Sequence, residues 1–229
     1  MNRTSGRRLD LEPLRALAAT TDVELGVVLL RGTPTNQARS IDALRRISAR
    51  AQEFGRDLAG RARVPGPSSH AVDPAPDADG PGTPHATRGM TVVEHRDGLD
   101  SGDPAVARFT HRTRTIDLYL DTVEFCEDLV DRLDWRGWFA PGSVRDAAIE
   151  HERAHDLISH SHARELRIAV GEAAFSLGRW RRWAHIAGAD ELAAHAFAHT
   201  ILGLGRSPLL VTAAAATALD QVRRPVKES

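Results

Sequence analysis

Six of the twelve prolines lie between Val64 and Gly89, in the stretch VPGPSSHAVDPAPDADGPGTPHATRG. Each proline removes a backbone donor and disfavours helix at the residue before it, so no helix or central strand can run through this segment. Glycine, alanine and aspartate fill the gaps without apolar periodicity, which reads as a disordered linker over residues 64–89. The 229-residue chain is thereby divided into a small N-terminal module, 1–63, and a larger C-terminal unit, 90–229.

The N-terminal module opens with DLEPLRALAAT, where Pro13 suits the first turn of a short helix. The continuous apolar run in VELGVVLLRG fits a buried strand. From Gln37 to about Arg61 the pattern is helical, with Ile41, Leu44, Ile47, Ala51, Phe54 and Leu58 on one stripe. Three such elements are too few to bury a core alone, so the strand or the long helix is expected to dock on the C-terminal unit.

In that unit MTVVEH and RTIDLYLD read as strands, and Thr122 to Leu133 as a helix broken by the aromatic loop DWRGWFAPG. Ser143 then fits the start of a helix, with Asp146 three residues on as its acidic capping partner. Three further helices are expected, from His162 to about Ile186, Asp190 to about Leu204 and Pro208 to about Val222. The fold class is therefore α+β, mostly helical with a small sheet.

Charge narrows the function classes. Thirty Lys and Arg against thirty-one Asp and Glu leave a net charge of -1, which argues against nucleic acid as a partner. The N-terminal MNRTSGRRLDLEP lacks the apolar core of a signal peptide, and the longest apolar runs, LGVVLL and PLLVTAAAATAL, are too short to span a bilayer. The expectation is a soluble, cytoplasmic protein with no membrane partner. Cys126, the only cysteine, excludes an internal disulfide and a thiolate cluster, and its helical, apolar context reads as a buried structural thiol.

The chemistry concentrates in HERAH, residues 151–155. On a helix, residues four apart share a face, so His151 and His155 can both reach one zinc ion at about 2.0–2.1 Å. Glu152 is placed beside the open position of such an ion, where it can take a proton from water as general base and return it to a leaving amine. This is the metalloprotease reading of the motif. Both histidines also share their face with Val144, Ala147 and Ile158, which would suit plain core packing. A third ligand could come from several places. His160 and His162 are near but off register; Glu165 and Glu172 come next; Glu191 opens ELAAHAFAHTIL, a helix start where a carboxylate is favoured.

The pair HERAH and ELAAHAFAHTIL resembles the ImmA/IrrE family of metallopeptidases, a gluzincin-like group that combines HExxH with a later segment supplying the third ligand. Glu191, Ala194, Phe197, Ala198, Ile201 and Leu202 match that segment in order. The resemblance implies a zincin-like domain with His151, His155 and Glu191 as zinc ligands and Glu152 as catalytic base. It further implies a protein or peptide substrate, such as an intracellular regulatory protein. His195, His199 and His185 are candidates to steady a substrate oxyanion, though interhelix hydrogen bonding explains them as readily. The alternative is an inactive zincin-fold interaction module. His195 stands where the family often has asparagine, and RDAAIE replaces its usual lead-in to the motif.

Overall fold

The computed structural model describes residues 9–63, 89–100, 104–171, 173–177 and 180–223, with the backbone alone described at 173–177 and 180–183. The expected linker thus lies outside the described residues, Gly89 excepted.

Before it come three helices: α1 (Glu12–Ala16), α2 (Asp22–Gly32) and α3 (Ile41–Arg63). The expected strand in VELGVVLLRG is α2, and the correction has a local cause. Thr21 caps the helix, its hydroxyl accepting from the Glu24 N–H at 3.2 Å. Thr21 and Glu24 have the spacing of a capping box, a start signal that outweighs a short apolar run able to suit either element. Gly26, far from breaking α2, lets α3 approach: a Cβ there would lie 2.1 Å from Ser48 Oγ. Ser48 and Gln52, both buried, donate to the α2 carbonyls of Val23 (2.9 Å) and Asp22 (2.8 Å).

On α3 the expected stripe is buried from Leu44 through Ile47, Ala51, Phe54 and Leu58. This helix docks on α7 (Ala189–Leu202), with small residues at the contact. A Cβ on Gly55 would meet the Ala193 carbonyl oxygen at 2.1 Å. Because α7 also packs against α5 (Ser143–Leu157), it is covered on two sides, and every residue from Leu192 to Ala198 is buried. Arg63 donates to the Ile201 carbonyl at 2.6 Å, closing the end of α7. Asn36, 1% exposed, donates to the carbonyls of Leu30 (3.2 Å) and Ala187 (3.0 Å), and so ties α2 to the turn that starts α7.

The sheet is small. Strands β1 (Thr91–His95), β2 (Ala107–Thr110) and β3 (Thr115–Tyr119) are ordered β1-β3-β2, with β1 parallel and β2 antiparallel to β3. Ile116 and Leu118 of β3 are fully buried. The four residues of β2 are a strand that the sequence does not announce, because two half-buried positions carry too little alternation to read. After β3 come α4 (Leu120–Arg132), α5, a π turn (Ile158–His162) and α6 (Ala163–Val170). The single helix expected from His162 to Ile186 ends at Val170, because Gly171 takes a left-handed φ of 73°. A hairpin comes next, β4 (Ala173–Leu177) against β5 (Trp180–Trp183). Helix α8 (Leu209–Arg223) completes the core, packing on α4 and α2.

One apolar cluster runs through the molecule, joining Leu14, Leu30 and Leu44 to Leu129, Phe139, Phe197 and Leu210. Each such side chain contributes about 1.5–3 kcal/mol on burial. Mostly helical with a three-stranded mixed sheet, the described chain is α+β. Among the described residues no helix is long and apolar enough to cross a membrane.

Candidate metal centre

Helix α5 carries HERAH, and its start is held from a distance. The expected Ser143–Asp146 box does not form. Gly142 occupies the cap position at φ 83°, and the Ser143 hydroxyl is buried without a hydrogen bond. Glu127 of α4 does the capping: its Oε1 accepts from the N–H groups of Gly142 (3.1 Å) and Val144 (3.2 Å). A carboxylate at a helix N-terminus also meets the positive end of the dipole. Arg136 pairs with the other Glu127 oxygen and with Asp131 (2.6 Å), so the capping carboxylate is itself held in place.

Two turns into α5, His151 and His155 lie one above the other, with Nε2 atoms 3.0 Å apart. Ala154 between them is fully buried, which lets this helix sit close to its neighbours. Glu191, in the first turn of α7, faces both imidazoles. Its Oε2 is 3.2 Å from His151 Nε2 and its Oε1 is 3.2 Å from His155 Nε2. Burial opposes ionisation of Glu191, but hydrogen bonds and charge from the two histidines outweigh it and hold the carboxyl far below the ordinary range. Burial likewise disfavours the His155 imidazolium, yet Glu191, then Glu152 and Asp190, raise its pKa above the usual value.

Do these residues fit a metal ion? Four ligands at about 2.0–2.1 Å in a tetrahedron stand about 3.3 Å apart. Here the two Nε2 atoms are 3.0 Å apart, and each stands 3.2 Å from a different oxygen of the Glu191 carboxylate. Two imidazole nitrogens at 3.0 Å cannot both point a hydrogen at the other, so the arrangement suits a shared proton or a shared cation. Two imidazoles and a carboxylate are also an ordinary zinc donor set. The residues fit.

The trio opens on a cavity of about 990 Å³. Glu152 lines it beside the two histidines, and Phe139, Val144 and Ile158 supply apolar wall. Residues 107–109 of β2 form another part of the lining.

The remaining histidines separate by environment. His195 is 7% exposed, its ring 4.4 Å from that of His151, and its Nδ1 has no hydrogen bond. Burial, reinforced by the charge of His151, pushes its pKa well below the ordinary value, so it is neutral. His199 instead serves the helix end, its Nε2 lying 3.0 Å from the Leu204 carbonyl. His185 is exposed at the edge of the cavity. Glu165 is an exposed partner of Arg61 (3.0 Å) and His162 (3.1 Å), which takes both Glu165 and His162 away from the centre. The Glu172 side chain lies outside the described residues. Sequence reasoning missed Glu127 and β2, since a cap from another helix and a four-residue edge strand leave no local pattern.

No family model, no curated protein and no solved structure matches this chain. The resemblance to the ImmA/IrrE family therefore rests on the residues of HERAH and ELAAHAFAHTIL alone.

Proposed function

We propose that the chain is a zinc-dependent metallopeptidase with a zincin-like catalytic domain. The observation that carries this reading is the meeting of His151, His155 and Glu191 at one point, beside Glu152 and on the wall of a large cavity. His151 Nε2, His155 Nε2 and one Glu191 oxygen would hold the ion, and zinc held there supplies Lewis-acid chemistry to a scissile carbonyl. Glu152 takes the proton of the attacking water and passes it to the departing amine. Glu191 would bind as the carboxylate and the two histidines as neutral imidazoles, as ligands must. Neutral His195, packed against the His151 ring, fills space on the core side without adding charge.

A peptide suits the cavity better than a small metabolite. Among the described residues β2 pairs only with β3, so it is an edge strand of the sheet, and it lines the cavity. An extended peptide pairs with such an edge. An intracellular regulatory protein as substrate is the part of the proposal that rests on the family resemblance; a cytoplasmic location is proposed with it, and a free, buried Cys126 accords with a reducing compartment.

The test is Glu152→Gln, compared with the wild type for zinc content and for cleavage of a peptide library. Unchanged zinc with at least about a hundredfold slower hydrolysis supports the role of general base. Zinc loss in the variant makes Glu152 a ligand or structural residue. Zinc-loaded wild type that cleaves nothing favours the inactive interaction module.

A further inference from the structure

The geometry points to a second divalent transition-metal site, formed by His111, Asp156 and His160 and separate from the HERAH centre. His111 stands in the turn between β2 and β3, Asp156 near the end of α5, and His160 on the π turn beyond it. One donor atom from each lies within 4.8 Å of the other two. Two imidazoles and a carboxylate again make a set that zinc, cobalt or nickel takes.

Asp156 is the unusual member. Its side chain is 9% exposed, and its two oxygens have different surroundings. Oδ2 pairs with Arg114 at 3.3 Å. Oδ1 is buried and accepts no hydrogen bond. His160 Nδ1 is 2.9 Å from it, but the hydrogen bond from that nitrogen goes to the Asp156 main-chain carbonyl at 3.1 Å. A buried carboxylate oxygen without a donor is a group that a cation would satisfy, and an ion on Oδ1 leaves the Arg114 pair intact.

The imidazoles can reach that ion from the solvent side. Both His111 and His160 are exposed, and their rings stand 5.4 Å apart. Phe109 holds the His111 ring edge-on at 4.9 Å, limiting its rotamers. Solvent can enter from this side and complete the coordination shell. The π turn matters because an extra residue in a helical turn shifts the phase of the residues after it, and here it sets where His160 points relative to Asp156.

The consequence is a clip between two walls of one cavity. His111 and Phe109 line it from the sheet side, and Ile158 and Ser159 from the helix side. An ion shared by His111, Asp156 and His160 would fasten the β2–β3 turn to the end of the motif helix. This is a structural rather than a catalytic ion.

The test is Zn²⁺ uptake by the untagged full chain, titrated against a chromogenic chelator. Wild type should bind two ions, the His111→Ala/His160→Ala variant one, and the His151→Ala/His155→Ala variant one. His111 and His160 are exposed, so their replacement leaves the core intact, which circular dichroism verifies. One ion in the wild type that disappears with His111→Ala/His160→Ala keeps this site and removes the HERAH site. One ion that disappears only with His151→Ala/His155→Ala overturns the second site, as does equal uptake by wild type and His111→Ala/His160→Ala.

Discussion

Gly55→Ala tests whether the position of the metal centre depends on the α3–α7 contact. In an isolated helix the change would stabilise, since alanine is favoured over glycine by about 0.8–1 kcal/mol. Here the new Cβ would lie 2.1 Å from the Ala193 carbonyl oxygen, 2.8 Å from its carbonyl carbon and 2.9 Å from its Cα. Ordinary contact begins at 3.4 Å, so the helices must part by up to 1.3 Å (3.4 − 2.1). The obstacle is backbone, and no rotamer change can relieve it. Overpacking of this kind costs about 1–3 kcal/mol, which meets or exceeds the propensity gain. A net loss of about 0–2 kcal/mol is expected, a fall of up to about 8 °C in Tm for a chain of this size. Glu191 sits two residues before Ala193 on the same helix, so moving α7 also draws the carboxylate off the two imidazoles. Differential scanning calorimetry and zinc titration on the same preparations read both effects. A Gly55→Ala protein with raised Tm and unchanged zinc affinity would refute the reasoning.

Removing Glu127 uncaps α5, so Glu127→Ala should cost about 1–2 kcal/mol in urea denaturation; no change in midpoint would mean that water caps the helix equally well. In metal-free protein the Glu191–His155 pair makes stability pH-dependent. The lowered Glu191 pKa contributes stability that is present above the ordinary carboxylate value of 4.5 and lost as pH falls through the lowered one. The raised His155 pKa contributes stability that is present below 6.5 and lost as pH rises through the raised one. Tm of the chelated wild type should therefore decline above about pH 6.5 more steeply than that of Glu191→Gln, and parallel curves would contradict the pairing. Burial, with some help from Glu127, pushes the Cys126 thiol up to about 12, so a thiol reagent at neutral pH should modify it only as fast as the chain unfolds. Rapid labelling of the native protein would contradict that environment.

Local patterns are legible in this chain. The i, i+4 spacing alone puts His151 and His155 on one helical face, and the stripe from Leu44 to Leu58 marks the buried side of α3. Two of the three strands of the mixed sheet alternate or cluster strongly enough to be seen, and the start of α7 is visible in the acidic opening of ELAAHAFAHTIL. The misassigned segments share a cause. The run in α2 is apolar enough to suit a strand or a helix, and only its place against α3 and α8 explains its burial. The segment after His162 has helical spacing well past Gly171, yet the left-handed turn there sends the chain into a hairpin.

Which residues could bind a metal, and which carboxylate stands beside them, is readable from HERAH alone, because side-chain chemistry and helical period are properties of a few neighbouring residues. The tertiary structure decided which carboxylate arrives. Glu165 is nearer in sequence but goes to Arg61, whereas Glu191 comes to the histidines because Gly55 allows α3 close to α7 and Asn36 pins the turn that starts that helix. Likewise Ser143 and Asp146 had the right spacing for a cap, but Glu127 takes the position from another helix. Local hydrogen-bond patterns depend on residues three and four apart, whereas donors far apart in the chain meet only once packing has chosen the neighbours.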